Sequence, residues 1–209
     1  MLFAQDGVTT VLENLELLFL LSSVTLGLCF VVFQSDFPVT IEQKQKLSTL
    51  FKKVVYKEVQ KQTESFYDPS SRLSLSELSQ MVDENYIMVI CNKFRVGAPE
   101  HFHKYLTWLT STQCAGICIG LFGRDYRVKH IYDCSPWDLP ITMRAFSIGF
   151  LRMVFSGVER YRGFIFERRM LIQMAHRNIY IPPFFQGFSA AIETTLNPQD
   201  IVLAVGSQM

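Results

Sequence analysis

Several common features are missing from this chain, and each absence narrows the reading. Residues 1–16 hold no Lys or Arg, so the apolar run that follows lacks the positive charge that precedes the core of a secretory signal peptide. No Asn-x-Ser/Thr sequon occurs, and the five cysteines, Cys29, Cys91, Cys114, Cys118 and Cys134, are an odd number in mostly apolar settings. Both facts weigh against a secreted, disulfide-framed domain. There is no Gly-x-x-x-x-Gly-Lys-Ser/Thr, no Gly-x-Gly-x-x-Gly and no Gly-x-Ser-x-Gly, which leaves phosphate-loop, dinucleotide and hydrolase-elbow readings without an anchor. Net charge is nearly absent as well. With 20 Lys and Arg against 19 Asp and Glu, a globally basic nucleic-acid binder and a generally acidic protein are both excluded.

Apolar residues, in contrast, are abundant. They make up 49% of 209 residues, enough to bury a sizeable core, which weighs against disorder. The densest run is LELLFLLSSVTLGLCFVVFQSD, Leu15 to Asp36, in which residues 17–35 carry no formal charge. As a helix at ~1.5 Å per residue, that stretch would be roughly 28 Å long, close to the hydrocarbon thickness of a bilayer. It has no polar stripe, since Ser22, Ser23 and Thr25 can return their hydroxyls to the helix's own carbonyls. The pattern predicts a transmembrane helix over 17–35. Lys44, Lys46, Lys52, Lys53, Lys57 and Lys61 follow it, which places the C-terminal side in the matrix or cytoplasm and the short acidic N-terminus, 1–16, outside. No later run qualifies as a second span, because the apolar segment around Ala145 to Phe155 is broken by Arg152 and preceded by Arg144.

Pro38 ends the first element, and Thr40 with Gln43 forms a capping-box pattern. Leu47, Leu50, Phe51, Val54, Val55, Val59 and Phe66 then recur at helical spacing, predicting an amphipathic helix over 39–66. Residues 73–209 are expected to form a compact α+β domain. Ser74 with Glu77 opens a short helix toward Glu84. Tyr86 to Phe94 (YIMVICNKF) reads as a buried strand, EHFHKYLTWLTST as a helix, and GICIGLFGRDYRVKHIYD as a β-hairpin turning at Gly123. Trp137 to about Tyr161 is a helix candidate, followed by FIFERRMLIQMAHR from Phe164. DIVLAVGS near the end is a candidate last strand. The fold class expected is mixed α/β and helix-dominated, with one N-terminal transmembrane helix followed by a small α+β domain.

Chemistry-bearing clusters are few. Cys114, Cys118, His130 and Cys134 fall close together, yet residues four apart along a strand stand about 13 Å apart, whereas zinc needs every donor within ~2–2.3 Å. Small buried cysteines are the plainer reading. His101 and His103 diverge on a helix and would not chelate one ion there. No catalytic, metal or cofactor site is assigned. The remaining candidate is a basic stripe in a half without Lys after Lys129: Arg160, Arg162, Arg168, Arg169 and Arg177 beside Tyr161, Phe164, Phe166 and Tyr180. Such mixing can serve RNA, but beside a span it favours anionic lipid head groups or other subunits, and an ordinary solvated face is the alternative.

The layout of a short outer N-terminus, one span and a Lys-rich amphipathic helix, over about residues 10–66, resembles the membrane-anchored b-type stalk subunit of ATP synthases. That resemblance implies a structural or accessory single-pass subunit of a large membrane complex. The expected placement is the mitochondrial inner membrane, in a respiratory or ATP synthase assembly. A membrane-tethered enzyme or a lipid-binding module is the alternative.

Overall fold

The computed structural model describes residues 1–4, 7–22, 26–59, 73–92, 94, 102–111, 114–119, 143–147, 163–177, 180–181 and 184–205. The strands are β1 Leu2–Ala4, β2 Leu28–Gln34, β3 Lys53–Val59, β4 Leu73–Ser74, β5 Tyr86–Cys91, β6 Gly116–Ile119, β7 Met143–Ser147, β8 Gly163–Glu167, β9 Tyr180–Ile181 and β10 Ile201–Val205. The helices are α1 Thr9–Ser22, α2 Ile41–Leu50, α3 Leu75–Met81, α4 Phe102–Ser111, α5 Arg168–His176 and α6 Phe185–Thr195.

Eight strands form one mixed sheet in the order β3-β2-β1-β5-β8-β6-β10-β7, and β4 pairs with β9 in a separate ribbon. β1 lies between β2 and β5, parallel to both, with Leu2 opposite Val31 on one side and Ile90 on the other. β2 and β3 are also parallel, as are β6 and β10, whereas β8 runs antiparallel to β5 and β6, and β7 antiparallel to β10.

Alternation along the central strands divides the core in two. Leu2, Ala4, Cys29, Val31, Phe33, Ile90 and Ile165 face α1, α2 and α4, which contribute Leu12, Leu15, Leu18, Leu47, Leu50, Phe102 and Leu109. Phe3, Phe30, Val32, Val89, Phe164 and Phe166 face the other way, onto Leu75 and Leu78 of α3, Met170 and Met174 of α5, and Phe188 and Ile192 of α6. The result is a three-layer α/β sandwich.

This architecture overturns the membrane expectation. Residues 17–35 are not one helix: α1 ends at Ser22, and β2 takes up the chain at Leu28. The apolar run arises because two elements with different burial are joined end to end. Leu15 and Leu18 of α1 are buried while Leu17, Leu20 and Leu21 are exposed. β2 is a central parallel strand buried on both faces, and such strands read as continuous apolar sequence. No helix among the described residues is long and apolar enough to cross a membrane. The single-pass topology is therefore corrected, and the mitochondrial inner-membrane placement that rested on it loses its basis. The fold is a sheet flanked by helices, not a helix-dominated domain behind an anchor.

The amphipathic helix expected over 39–66 stops at Leu50. Thr40 and Gln43 do make the capping box, each side chain bonding the other residue's backbone N–H. Beyond Phe51, however, the valines enter β3, with Val55 and Val59 on one face and Val54 and Tyr56 on the other. A strand buried in part on both faces places apolar residues at adjacent positions, which imitates a helical repeat. Within the helix candidate from Trp137 to Tyr161, the described residues Met143–Ser147 are strand β7. FIFERRMLIQMAHR divides into β8 and α5. The strands at Tyr86 and Ile201, the Ser74-capped helix and the helix after Phe102 agree with the sequence reading. The hairpin turn at Gly123 lies outside the described residues.

The two faces of α1 give the first prediction. Leu18→Ala removes a fully buried side chain and should cost ~2–5 kcal/mol in urea unfolding. Leu20→Ala, at a position 73% exposed, should stay within ~0.5 kcal/mol of the parent. Equal losses at both positions would contradict the placement of the helix.

Candidate functional site

The parallel strands β1, β2, β3, β5, β6 and β10 all finish at one edge of the sheet. From β1 the chain proceeds outward through α1 to β2 and through α2 to β3, then returns to β5 on the opposite flank of β1. The order reverses between β1 and β5. In open α/β sheets the crevice outside the carboxyl ends of the strands at such a reversal is where ligands bind.

Three short segments border that crevice. Gly7, between β1 and α1, has φ +99°, and a side chain added there would meet open space. Glycine is required at that φ, and its bare backbone leaves room for close approach at the start of α1. At the end of β2, the Phe37 N–H donates to the Gln34 carbonyl at 3.0 Å in a tight turn, and the Ser35 N–H donates to the Val59 carbonyl at 3.1 Å. That turn presents Ser35 and Asp36 to solvent. At the end of β5, the Phe94 N–H donates to the Cys91 carbonyl at 3.0 Å, which leaves Asn92 half-buried in the turn. Phe94 is fully buried and forms the floor, its ring over Gly163 of β8, where an added Cβ would come within 2.9 Å of it. Because β2, β1 and β5 are neighbours at ~4.8 Å spacing, Asp36, Gly7 and Asn92 end strands that together span only ~10 Å.

The entrance to α1 is braced from α2: the Gln43 side-chain amide donates to the Thr9 hydroxyl at 3.2 Å, which ties the same capping residue to both helices. Among the described residues, no three His, Cys, Asp or Glu side chains gather to hold a metal ion.

A second concavity lies at the other end of the strands. A cavity of about 340 Å³ is lined by Leu15, Leu26, Cys29, Phe51, Phe102 and Leu106, among others, with Glu84 and the Met1 amine at its polar side. The Glu84 carboxylate accepts the Leu28 N–H at 2.8 Å, and the Met1 ammonium donates to the Met88 carbonyl at 2.6 Å. Burial holds that amine below its ordinary pKa. Gly27 leaves room for this arrangement, since a Cβ there would displace the Glu84 carboxylate from its present position. Burial also pushes the Cys29 thiol up to about 11, so it is a neutral packing group and not a nucleophile.

The arginines singled out from sequence do not form one stripe. Arg160 and Arg162 lie outside the described residues. Arg168 and Arg169 begin α5 and border a hollow of about 300 Å³ with Asn85, Tyr86 and Glu167. Arg169 pairs with Glu167 at 2.6 Å, and Arg168 reaches Asp83 at 4.0 Å. Arg177 caps the far end of the same helix, ~13 Å away. Arg169 is thus an exposed, carboxylate-matched side chain, whereas Arg168 is half-buried, with its Nε buried and without a hydrogen-bond partner. Cys29, Cys91 and Cys114 are buried thiols outside any disulfide, in keeping with their apolar sequence settings. His101, His130 and Cys134 lie outside the described residues, while His103 is exposed on α4. Sequence reading missed Gly7, Asp36 and Asn92, because the signal is topological: each residue follows a strand, and only the strand order places the three ends side by side.

Thiol ionisation gives the second prediction. The folded state keeps the Cys29 proton between pH 9.0 and about 11, whereas the unfolded chain releases it, so this group's contribution is complete below pH 9 and lost as pH rises through that window. The difference between the stability curves of the parent and Cys29→Ala should therefore decline by ~2–3 kcal/mol across it. A flat difference, or modification of native Cys29 by a thiol reagent at pH 8, would contradict its burial.

No protein-family model matches the sequence, and no curated protein matches it. Among solved structures the chain is similar to S. aureus TarS, residues 1–349, with a TM-score of 0.58 at 10% sequence identity; the match covers 99% of this chain and 57% of that one. The chain thus spans little more than half of the solved TarS fragment. The likeness is one of fold alone, a mixed sheet flanked by helices.

Proposed function

We propose that this chain binds an activated sugar, one carrying a phosphorylated leaving group, in the crevice at the carboxyl ends of β1, β2 and β5, and that it belongs functionally with glycosyl-transferring domains. The observation that carries this reading is the reversal of strand order between β1 and β5, with Gly7 at φ +99° opening the backbone at the start of a fourteen-residue helix. Phosphate groups are favoured at such a helix start, where unpaired N–H groups and the helix dipole both face the ligand. Asp36 is exposed beside it and suits hydroxyl groups of a sugar or ribose, while the Asn92 amide can donate to a phosphate or a leaving oxygen. The fold shared with TarS, a glycosyltransferase, supports the substrate class by analogy.

A second reading is favoured by one specific feature. The turn after β5 carries Asn92, an uncharged side chain, where a cation-assisted transfer would call for a carboxylate. Under this reading the domain binds its ligand without turning it over and acts as an accessory subunit of an assembly.

A thermal-shift panel of uridine, guanosine and cytidine diphosphate sugars tests both. A ligand at a hundred times its Kd should stabilise the chain by ~2.7 kcal/mol, a rise of roughly 5–10 °C in Tm. Asp36→Ala and Asn92→Ala should each lower that rise. No shift with any of the panel would overturn the ligand assignment. A shift without release of nucleoside diphosphate to any acceptor would favour the accessory role.

A further inference from the structure

The cavity at the amino ends of the strands has no part in the sugar reading, and its chemistry differs from that of the carboxyl edge. Its walls grade from apolar to polar. Leu15 of α1 and Phe102 of α4 are buried on one side, whereas Gly27, Glu84 and Met1 are half-exposed and form a polar mouth. Native interiors leave few voids larger than a water molecule, so a space of about 340 Å³ is more than a packing defect. An apolar cavity of ~150 Å³ takes up benzene, which scales this one to a guest of roughly ten carbon atoms. Water is a poor filling for walls that are mostly apolar.

The mouth selects the head group of that guest. One Glu84 oxygen accepts the Leu28 N–H at 2.8 Å. The other takes no hydrogen bond from the described residues and is not sealed from solvent, so it can accept one from a ligand. The Met1 ammonium donates to the Met88 carbonyl at 2.6 Å and has further protons to give. A carboxylate head would set a second anion beside Glu84, and an amine head a second cation beside Met1. A hydroxyl donates to the first, accepts from the second and adds no charge. We propose that this cavity binds a small apolar molecule carrying one hydroxyl group, its body against Leu15, Phe51, Phe102 and Leu106 and its O–H donated to Glu84. The proposal does not rest on the sugar reading, because the two sites lie at opposite ends of the sheet.

Isothermal titration calorimetry of the full chain with naphthol, naphthalene and naphthoate tests it, with circular dichroism to establish that each variant is folded. The three probes share one ring system and differ in the head group. Naphthol should bind one per chain and at least ~10-fold more tightly than either of the others, the effect of one hydrogen bond to a charged acceptor. Leu106→Trp, which fills the cavity from a half-exposed position, should abolish the binding. Glu84→Gln keeps an acceptor for the Leu28 N–H but removes the charge, and should reduce the preference for naphthol over naphthalene. Absence of naphthol binding to the parent overturns the proposal, as does binding that Leu106→Trp leaves intact. Equal affinity for the three probes, or tightest binding of naphthoate, overturns the hydroxyl assignment and the role of Glu84.

Discussion

Everything else in this molecule depends on three residues at the middle of the sheet. Leu2, Phe3 and Ala4 of β1 are 1%, 0% and 0% exposed, hydrogen-bonded between β2 and β5, and they belong to both halves of the core at once. Leu2 and Ala4 point to the layer of α1, α2 and α4. Phe3 points to the other layer, its ring 5.8 Å from that of Phe188 and 6.3 Å from that of Phe185 on α6. A strand that short has little stability of its own. It is fixed by its two neighbours, and its register in turn sets which faces of β2 and β5 are buried, since a slip of one residue would turn each side chain to the opposite layer. The reversal of strand order, and with it the crevice, exists only because β1 holds this central place.

Local signals in the sequence were legible wherever a single element decided the outcome. The Thr40 and Gln43 capping box, the Ser74 cap of α3, the apolar run of β5 and the last strand follow from side chains within a few residues of one another. The failures have one cause. A central parallel strand is apolar on both faces, so Leu28–Gln34 joined to the half-exposed end of α1 imitated a membrane helix, and the valines of β3 imitated the continuation of α2. Periodicity cannot report a partner that lies elsewhere in the chain. Glu84 shows the same limit: its carboxylate holds the Leu28 N–H from fifty-six residues away, over a glycine whose purpose is invisible until the fold is formed.

The candidate site was less legible than the fold. Residue types that suggest chemistry in isolation do not gather into one site where the structure describes them: Cys29, Cys91 and Cys114 are buried thiols, Arg169 pairs with Glu167, and Arg177 lies at the far end of α5 from Arg168. The residues that border the crevice are ordinary ones, a glycine, an aspartate and an asparagine, which acquire meaning from their position at strand ends. The cavity of about 340 Å³ by Met1 and Glu84 is mostly apolar, while the strand ends beside Gly7 have the backbone geometry and the helix start that suit a phosphorylated ligand.

These two places can be told apart directly. A crystal structure of the chain grown with the nucleoside diphosphate sugar that stabilises it most would place the ligand. Density is expected at the carboxyl edge, with the phosphates at Gly7 and the start of α1 and the remainder between Asp36 and Asn92. Density confined to the cavity beside Met1, Cys29 and Glu84 would contradict it and move the functional site to the opposite end of the sheet.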